Sequence, residues 1–325
     1  MDHEPLMKSW WMRFGAPCTF ELREVPLPQP SATQLLVRVR AAGLNRGEFL
    51  TGQAGAWKAA GGEAAGEVVR AGGACAFAEG DRVMGRCAGA FSEFALMDMA
   101  EALPVPPTLS WEQAGALPMV AMVGFDMLVM RGRLAAGEWL VVNGVSSGVG
   151  VFCLQLGKAL GAKVAGTSRS QQKLDALTAL GLDLPVCSDA LFAHRVLDAT
   201  QGRGADLLVN AVGGSLFEEG LRSLAYEGRM AIVGYVDRVL KPSLDLETLH
   251  AKRLAVFGVS NKLRTSAQRA QQVARFRAEA MPHVDAGRLQ PLIHQVLDFD
   301  ALPAAHALLE ADAHVGKIVL RLPSA

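Results

Sequence analysis

Trp139-Leu-Val-Val-Asn143 reads as a strand, Gly144-Val-Ser-Ser-Gly148-Val-Gly150 as a tight turn, Val151 to Leu160 as an apolar helix and Ala162 to Thr167 as a second strand. Together they make a βαβ opening with glycines at the first strand-to-helix turn, where such folds hold a pyrophosphate. Glycine lets the backbone come close to the phosphates. The helix N-terminus adds unpaired N–H groups and partial positive charge. The same glycines in a plain structural turn would mean little; the flanking strand and helix give them their meaning. Three residues separate Gly144 from Gly148, so the loop is one residue longer than strict G-x-G-x-x-G. Ser146 and Ser147 stand in it as extra hydroxyl donors. The candidate phosphate cradle is therefore Gly144, Ser146, Ser147, Gly148, Val149 and Gly150.

The end of the second strand speaks to the choice of dinucleotide. An NAD site places Asp or Glu there to accept from the ribose 2′-OH. This chain has Thr167-Ser168-Arg169-Ser170 and then Lys173, with no acid. Cations and hydroxyls suit a 2′-phosphate, because Arg and Lys make charge-assisted hydrogen bonds to it. The expectation is NADP(H), bound by Thr167, Ser168, Arg169 and Lys173. The plainer alternative is a pair of solvated cations at a helix start.

At 325 residues, half of them apolar and with formal net charge zero, the chain is long enough for two domains with a large core. Neither a nucleic-acid footprint nor an acidic tail is expected. Met1-Asp-His-Glu-Pro5 lacks the basic start and apolar run of a signal peptide. Leu117 to Met130 contains Asp126 and is too short to span a bilayer. Five scattered cysteines, with no C-x-x-C, argue against a disulfide framework or a zinc knuckle. A cytoplasmic setting with no membrane partner is expected.

Residues 1–127 read as β-rich. Phe20–Val25, Gln34–Arg40, Ala64–Ala71, Arg82–Gly85 and Phe91–Met97 are short alternating segments between Gly and Pro turns, the pattern of a partly open barrel. Ser110-Trp-Glu-Gln113 has capping-box spacing. Over residues 128–261 strands alternate with helices: Leu140–Asn143, Lys163–Thr167, Leu184–Cys187, Leu207–Asn210, Met230–Val233 and Leu254–Val259. Six such strands make a doubly wound parallel sheet. Residues 262–325, with a polar helix at Ser266–Ala280, a strand at Val296–Phe299, a helix at Ala304–Glu310 and a strand at Lys317–Leu322, return to the first domain.

Laid out in full, the chain resembles the medium-chain dehydrogenase/reductase superfamily, and within it the zinc-independent quinone oxidoreductase branch. Ala42-Gly-Leu-Asn45-Arg, Gly61-Gly-Glu-Ala-Ala-Gly66, Gly80-Asp-Arg-Val83, Ala116-Leu-Pro118, Ser147-Gly-Val-Gly150, Val212-Gly-Gly214 and Gly316-Lys-Ile-Val-Leu320 carry the resemblance by their order and spacing. It implies an α/β fold: a GroES-like partly open β-barrel with an inserted Rossmann domain. Alcohol-oxidising members carry Cys near the position of Asn45 and His at that of Gly62, and a four-cysteine lobe where Cys87 stands alone. The resemblance thus implies no metal. Without a Lewis acid, alcohol oxidation is disfavoured. Reduction of a small electron acceptor, a quinone or an α,β-unsaturated carbonyl, is the expected reaction. An enoyl-thioester reductase, or a low-turnover NADPH-binding sensor or structural protein, are the alternatives.

By the same resemblance the nicotinamide lies near Asn45, Asn210, Val212, Gly213, Val233, Gly234, Tyr235, Gly258, Val259, Ser260 and Asn261. Asn45 is expected to bond the nicotinamide ribose or a substrate oxygen, or to be a turn residue. Tyr235 is a candidate proton donor, with packing as its plainer role. Lys317 is expected to reach a cofactor phosphate, or to be solvated at a strand start. Arg46 and Glu48 read as a solvated pair beside the site. Relatives commonly pair as homodimers through the edge strand Leu254–Val259, and the same is expected here.

Overall fold

A computed structural model describes residues 5–15, 17–50, 53–189 and 191–323. Among them are sixteen strands, labelled β1 to β16 in chain order. The chain divides into two compact units. The first comprises Met1–Val120, Ser266–Asp285 and Gln290–Ala325; the second comprises Ala121–Thr265 and Ala286–Leu289.

The second unit carries β9 (Trp139–Asn143), β10 (Lys163–Ser168), β11 (Leu184–Cys187), β12 (Ala205–Asn210), β13 (Leu224–Ile232) and β14 (Ala255–Gly258). They form one parallel sheet in the order β11-β10-β9-β12-β13-β14. The central strands are nearly continuous apolar runs, as a sheet covered on both faces requires. Leu140, Val141, Val142, Leu207, Leu208 and Val209 are all at 0 % exposure. The sheet is doubly wound: the chain runs outward from β9 to β11 and then, from β12, outward the other way. β9 and β12 are thus the switch point, where ligands of such sheets bind at the strands' carboxyl ends.

The first unit builds a seven-stranded sheet from β3 (Gln34–Gly43), β5 (Glu63–Ala71), β6 (Arg82–Ala88), β7 (Phe94–Asp98), β8 (Leu103–Pro104), β15 (Ile293–Asp298) and β16 (Lys317–Arg321). β3 pairs with β7 as well as with β5, which closes the small barrel. β1 (Leu6–Arg13), β2 (Thr19–Pro26) and β4 (Trp57–Ala59) form a separate three-stranded sheet. Met12, Leu35, Val37, Phe91, Met97 and Leu320 centre the core of this unit. Ser110 caps the helix Trp111–Ala116 with the full capping box: its side chain accepts from Gln113 N, and the Gln113 side chain accepts from Ser110 N.

Several elements differ from the sequence reading: β4 and β8 went unread, and β15 starts three residues before the expected Val296. β1 went unread because consecutive burial of Ser9 and Trp10 breaks its alternation. β13 begins at Leu224, six residues before the expected Met230, with a register shift against β12 between Ala205 and Leu207.

Candidate functional site

The nucleotide side is built at the carboxyl edge of the second unit's sheet. β9 ends at Asn143 and the helix Gly148–Ala159 begins after Ser147. The Ser147 hydroxyl donates to Gly144 O (2.8 Å) and accepts from Gly150 N (3.1 Å), so it holds the turn. The amides of Gly148 and Val149 open the helix, where the first turn has no intrahelical acceptor. A Cβ at Gly150 would lie 2.4 Å from Gly144 O and 2.7 Å from Val145 Cα, so only glycine allows the helix this close to the strand end. These features fit a pyrophosphate.

β10 ends in Thr167 and Ser168. Thr167 is fully buried, and its hydroxyl donates to Asn143 Oδ1 at 3.1 Å. Its proton is used inside the sheet, between neighbouring strands. Ser168 Oγ accepts from Ser170 N, Arg169 is exposed, and Lys173 is half-buried in the first turn of the helix Gln171–Thr178. Asn143 and Asn210 are in register at the switch point, both at 0 % exposure. The Asn210 side chain donates to Gly213 O and accepts from Val212 N and Gly213 N, so it shapes the turn after β12 from within.

Asp237, which the sequence reading passed over, braces the same turn: it accepts from Ser215 N and Oγ and from Val239 N. Against the burial that raises it, these hydrogen bonds hold its carboxyl below the usual range. Val233, Gly234, Val259 and Asn261 follow β13 and β14 at the same edge, with Tyr235 (50 % exposed), Gly258 and Ser260 open to solvent.

The first unit holds a buried polar cluster that the sequence reading did not foresee. Lys317 opens β16 at 4 % exposure. Its Nζ donates to Leu44 O (2.8 Å), Asn45 Oδ1 (2.7 Å) and Glu63 Oε1 (2.8 Å). An ammonium has three protons, and all three are committed. Lys317 is therefore not solvated, which corrects that expectation, and its ammonium faces Leu44, Asn45 and Glu63.

Asn45 Nδ2 donates to Glu48 Oε1 and Glu63 Oε1, each at 2.8 Å. With both amide protons spent and Oδ1 facing Lys317, the Asn45 amide orients the cluster; a hydrogen bond from it to a nicotinamide ribose has no proton left to use. Glu63 Oε2 accepts from Met119 N at 2.7 Å.

Arg46 and Glu48 do not pair. Arg46 turns to Leu309 O and Asp312, and Glu48 turns inward. Glu48 Oε2 is buried without a partner. Burial, reinforced by the negative charge of Glu63, pushes the Glu48 carboxyl up to about 7 despite its Asn45 hydrogen bond and the nearby Lys317 and Lys58. A Cβ at Gly62 would lie 2.8 Å from Glu48 Oε1, so this carboxyl fills the space a side chain at 62 would need.

Among the described residues, no group of three or more His, Cys, Asp or Glu is placed to hold a metal ion, and no helix is long and apolar enough to cross a membrane.

Residues 31–107 match the alcohol dehydrogenase GroES-like domain family, and residues 148–277 match the zinc-binding dehydrogenase family. The chain is 32 % identical over 308 residues to the spectinabilin polyketide synthase system protein NorB of Streptomyces orinoci, covering 92 % of this chain but 14 % of that protein. The chain thus spans a small part of the polyketide synthases it matches. It is 26 % identical to the quinone oxidoreductase of Rattus norvegicus, over 95 % of each chain. A solved NAD-dependent alcohol dehydrogenase superposes with a TM-score of 0.86 at 28 % identity, over 98 % of this chain and 100 % of that one.

Proposed function

The chain belongs to the medium-chain dehydrogenase/reductase superfamily, and from that premise we propose that it is an NADPH-dependent reductase of quinones or α,β-unsaturated carbonyls. The observation that carries this reading is the Lys317-centred cluster. Alcohol oxidation calls for a Lewis acid to stabilise an alkoxide. Where the resemblance puts metal ligands, this chain has Asn45 and Gly62, and beside them a fixed ammonium whose charge repels a dication. A conjugated acceptor needs no such ion, because it spreads the incoming charge over its own π system. When bound, the reduced nicotinamide supplies the hydride, and solvent supplies the proton.

In this reading the Gly144–Gly150 turn and the amides of Gly148 and Val149 hold the pyrophosphate. Arg169 and Lys173, with Ser168, hold the 2′-phosphate. Val212, Gly213, Val233, Gly234, Tyr235, Gly258, Val259, Ser260 and Asn261 line the nicotinamide end. Tyr235 is a contact residue there. The edge strand β14, with Val256 at 40 % exposure, is the pairing surface of a homodimer. Five unpaired thiols suit a reducing, cytoplasmic setting.

A second reading, reduction of an enoyl thioester, is favoured by the likeness to polyketide synthases. Steady-state oxidation of NADPH and of NADH against 1,4-benzoquinone, 9,10-phenanthrenequinone, an enone and an enoyl thioester tests the proposal. Turnover of a quinone or enone with preference for NADPH is expected. Turnover of the thioester alone selects the second reading. Tight NADPH binding without turnover of any of them would overturn both in favour of a sensor or structural role.

A further inference from the structure

We propose that Glu48 is a positioning residue of this reductase: held as the neutral acid, it lets Asn45 and Lys317 keep a single arrangement, and its ionisation disrupts that arrangement. The kinetic part of this inference rests on the proposed reduction; the structural part does not.

Two carboxylates, Glu48 and Glu63, share a buried space with one ammonium, Lys317. Glu63 receives Lys317 Nζ and Asn45 Nδ2 on Oε1 and Met119 N on Oε2. Glu48 receives one neutral donor, Asn45 Nδ2, on Oε1 and none on its sealed Oε2. A buried carboxylate with one neutral donor costs more than the buried acid, so the proton stays.

The charged and titratable groups facing it are Glu63 from β5, Lys317 from β16, Lys58 from β4 and Cys87 from β6. Lys58 is exposed, with its ammonium 4.6 Å from the Phe14 ring centroid, so solvent screens its pull. Cys87 remains a thiol, pushed up to about 12 by burial and by both carboxylates. The absence of a side chain at Gly62 leaves the space that the Glu48 carboxyl occupies.

The neighbours also fix the Asn45 amide. The Glu63 carboxylate can only accept and the Lys317 ammonium can only donate. Nδ2 therefore faces the two glutamates, and Oδ1 faces Lys317. An ionised Glu48 repels Glu63 and competes with it for the same amide and the same ammonium, and the fixed orientation is lost.

The test uses the full chain with 13C-labelled glutamate carboxyls. One resonance is expected to titrate near neutrality and to vanish in Glu48→Gln. In parallel, kcat on the best acceptor is expected to fall as pH rises through the same titration. Glu48→Gln, the neutral isostere, is expected to stay active with that fall removed, while Glu48→Ala loses about 10- to 100-fold. A Glu48 resonance titrating in the ordinary carboxylate range overturns the proposal. So does a Glu48→Gln enzyme with an unchanged pH profile, or one as impaired as Glu48→Ala. If no acceptor is turned over, the reduction reading fails and the carboxyl titration alone decides the state of Glu48.

Discussion

Lys317 Nζ lies 2.8 Å from Glu63 Oε1 across strand β3, and the two side chains are sealed at 4 % and 0 % exposure. The pair joins β16 to β5, which flank β3 on either side. A Cβ at Gly43, the last residue of β3, would lie 2.7 Å from Glu63 Oε1, so glycine at the strand end lets the bridge pass. Desolvating two charges is costly, and the hydrogen bonds from Asn45 and Met119 to Glu63 offset part of that cost.

Removing one partner leaves the other charged and buried. Lys317→Met is expected to destabilise the chain by about 3–5 kcal/mol. Adding Glu63→Gln should recover part of the loss, because no unpaired charge then remains. Denaturant unfolding of the two variants measures this. A loss below about 1 kcal/mol for Lys317→Met would mark the pair as no stronger than a surface contact.

The raised Glu48 carboxyl ties stability to pH. Its value moves from 4.5 to about 7 on folding, so the folded state keeps a proton that the unfolded chain has released. The stability it contributes is fully present below about 4.5 and is lost as pH rises through about 7. At 1.36 kcal/mol per unit, the loss is at most about 3 kcal/mol. Unfolding free energies between about pH 5 and pH 8 should fall for the wild type and flatten for Glu48→Gln. Parallel curves for the two proteins would contradict the assignment.

Arg169→Ala with Lys173→Ala is expected to weaken NADPH binding by about 100-fold or more while leaving NADH nearly unchanged, since each charged contact to the 2′-phosphate contributes on the order of 1.5–3 kcal/mol. Calorimetric titration with both dinucleotides separates the cases. Equal losses for the two would remove the 2′-phosphate role.

Gly150→Ala places a methyl group against the Gly144 carbonyl and the Val145 backbone, neither of which can swing aside as a flexible side chain would. A cost of about 1–3 kcal/mol in stability is expected, together with weaker binding of both dinucleotides, because the helix N-terminus moves off the phosphate position. Unchanged dinucleotide affinity would separate this turn from the cofactor.

How far the sequence carried the reading follows from the range of each interaction. The second unit was legible because its signals are local: strand, glycine turn and helix recur within about 30 residues, and the apolar runs of β9 and β12 declare their burial. β13 was read short because Glu227-Gly228 looks like a turn, yet the strand passes through it with Glu227 at φ 59°. The Lys317 cluster was not legible. Lysine at a strand start usually reaches solvent, and its burial depends on Asn45 and Glu63, 272 and 254 residues away. Glu48 beside Arg46 looked like a solvated pair for the same reason: only the packing of β5 and β16 turns it inward. Thr167 was assigned to the cofactor from its place at the strand end, but its hydroxyl faces Asn143 on the neighbouring strand, a contact between strands that a linear reading does not hold.

The most direct test of the central claim is the rate of NADPH oxidation with an enone and a quinone before and after exhaustive chelation, alongside NADP⁺ reduction by simple alcohols. If the Lys317 cluster stands in place of a metal, the acceptor rates are unchanged by chelation and the alcohols give no turnover. Loss of the acceptor rate on chelation with recovery on added zinc, or sustained alcohol oxidation, would contradict the account.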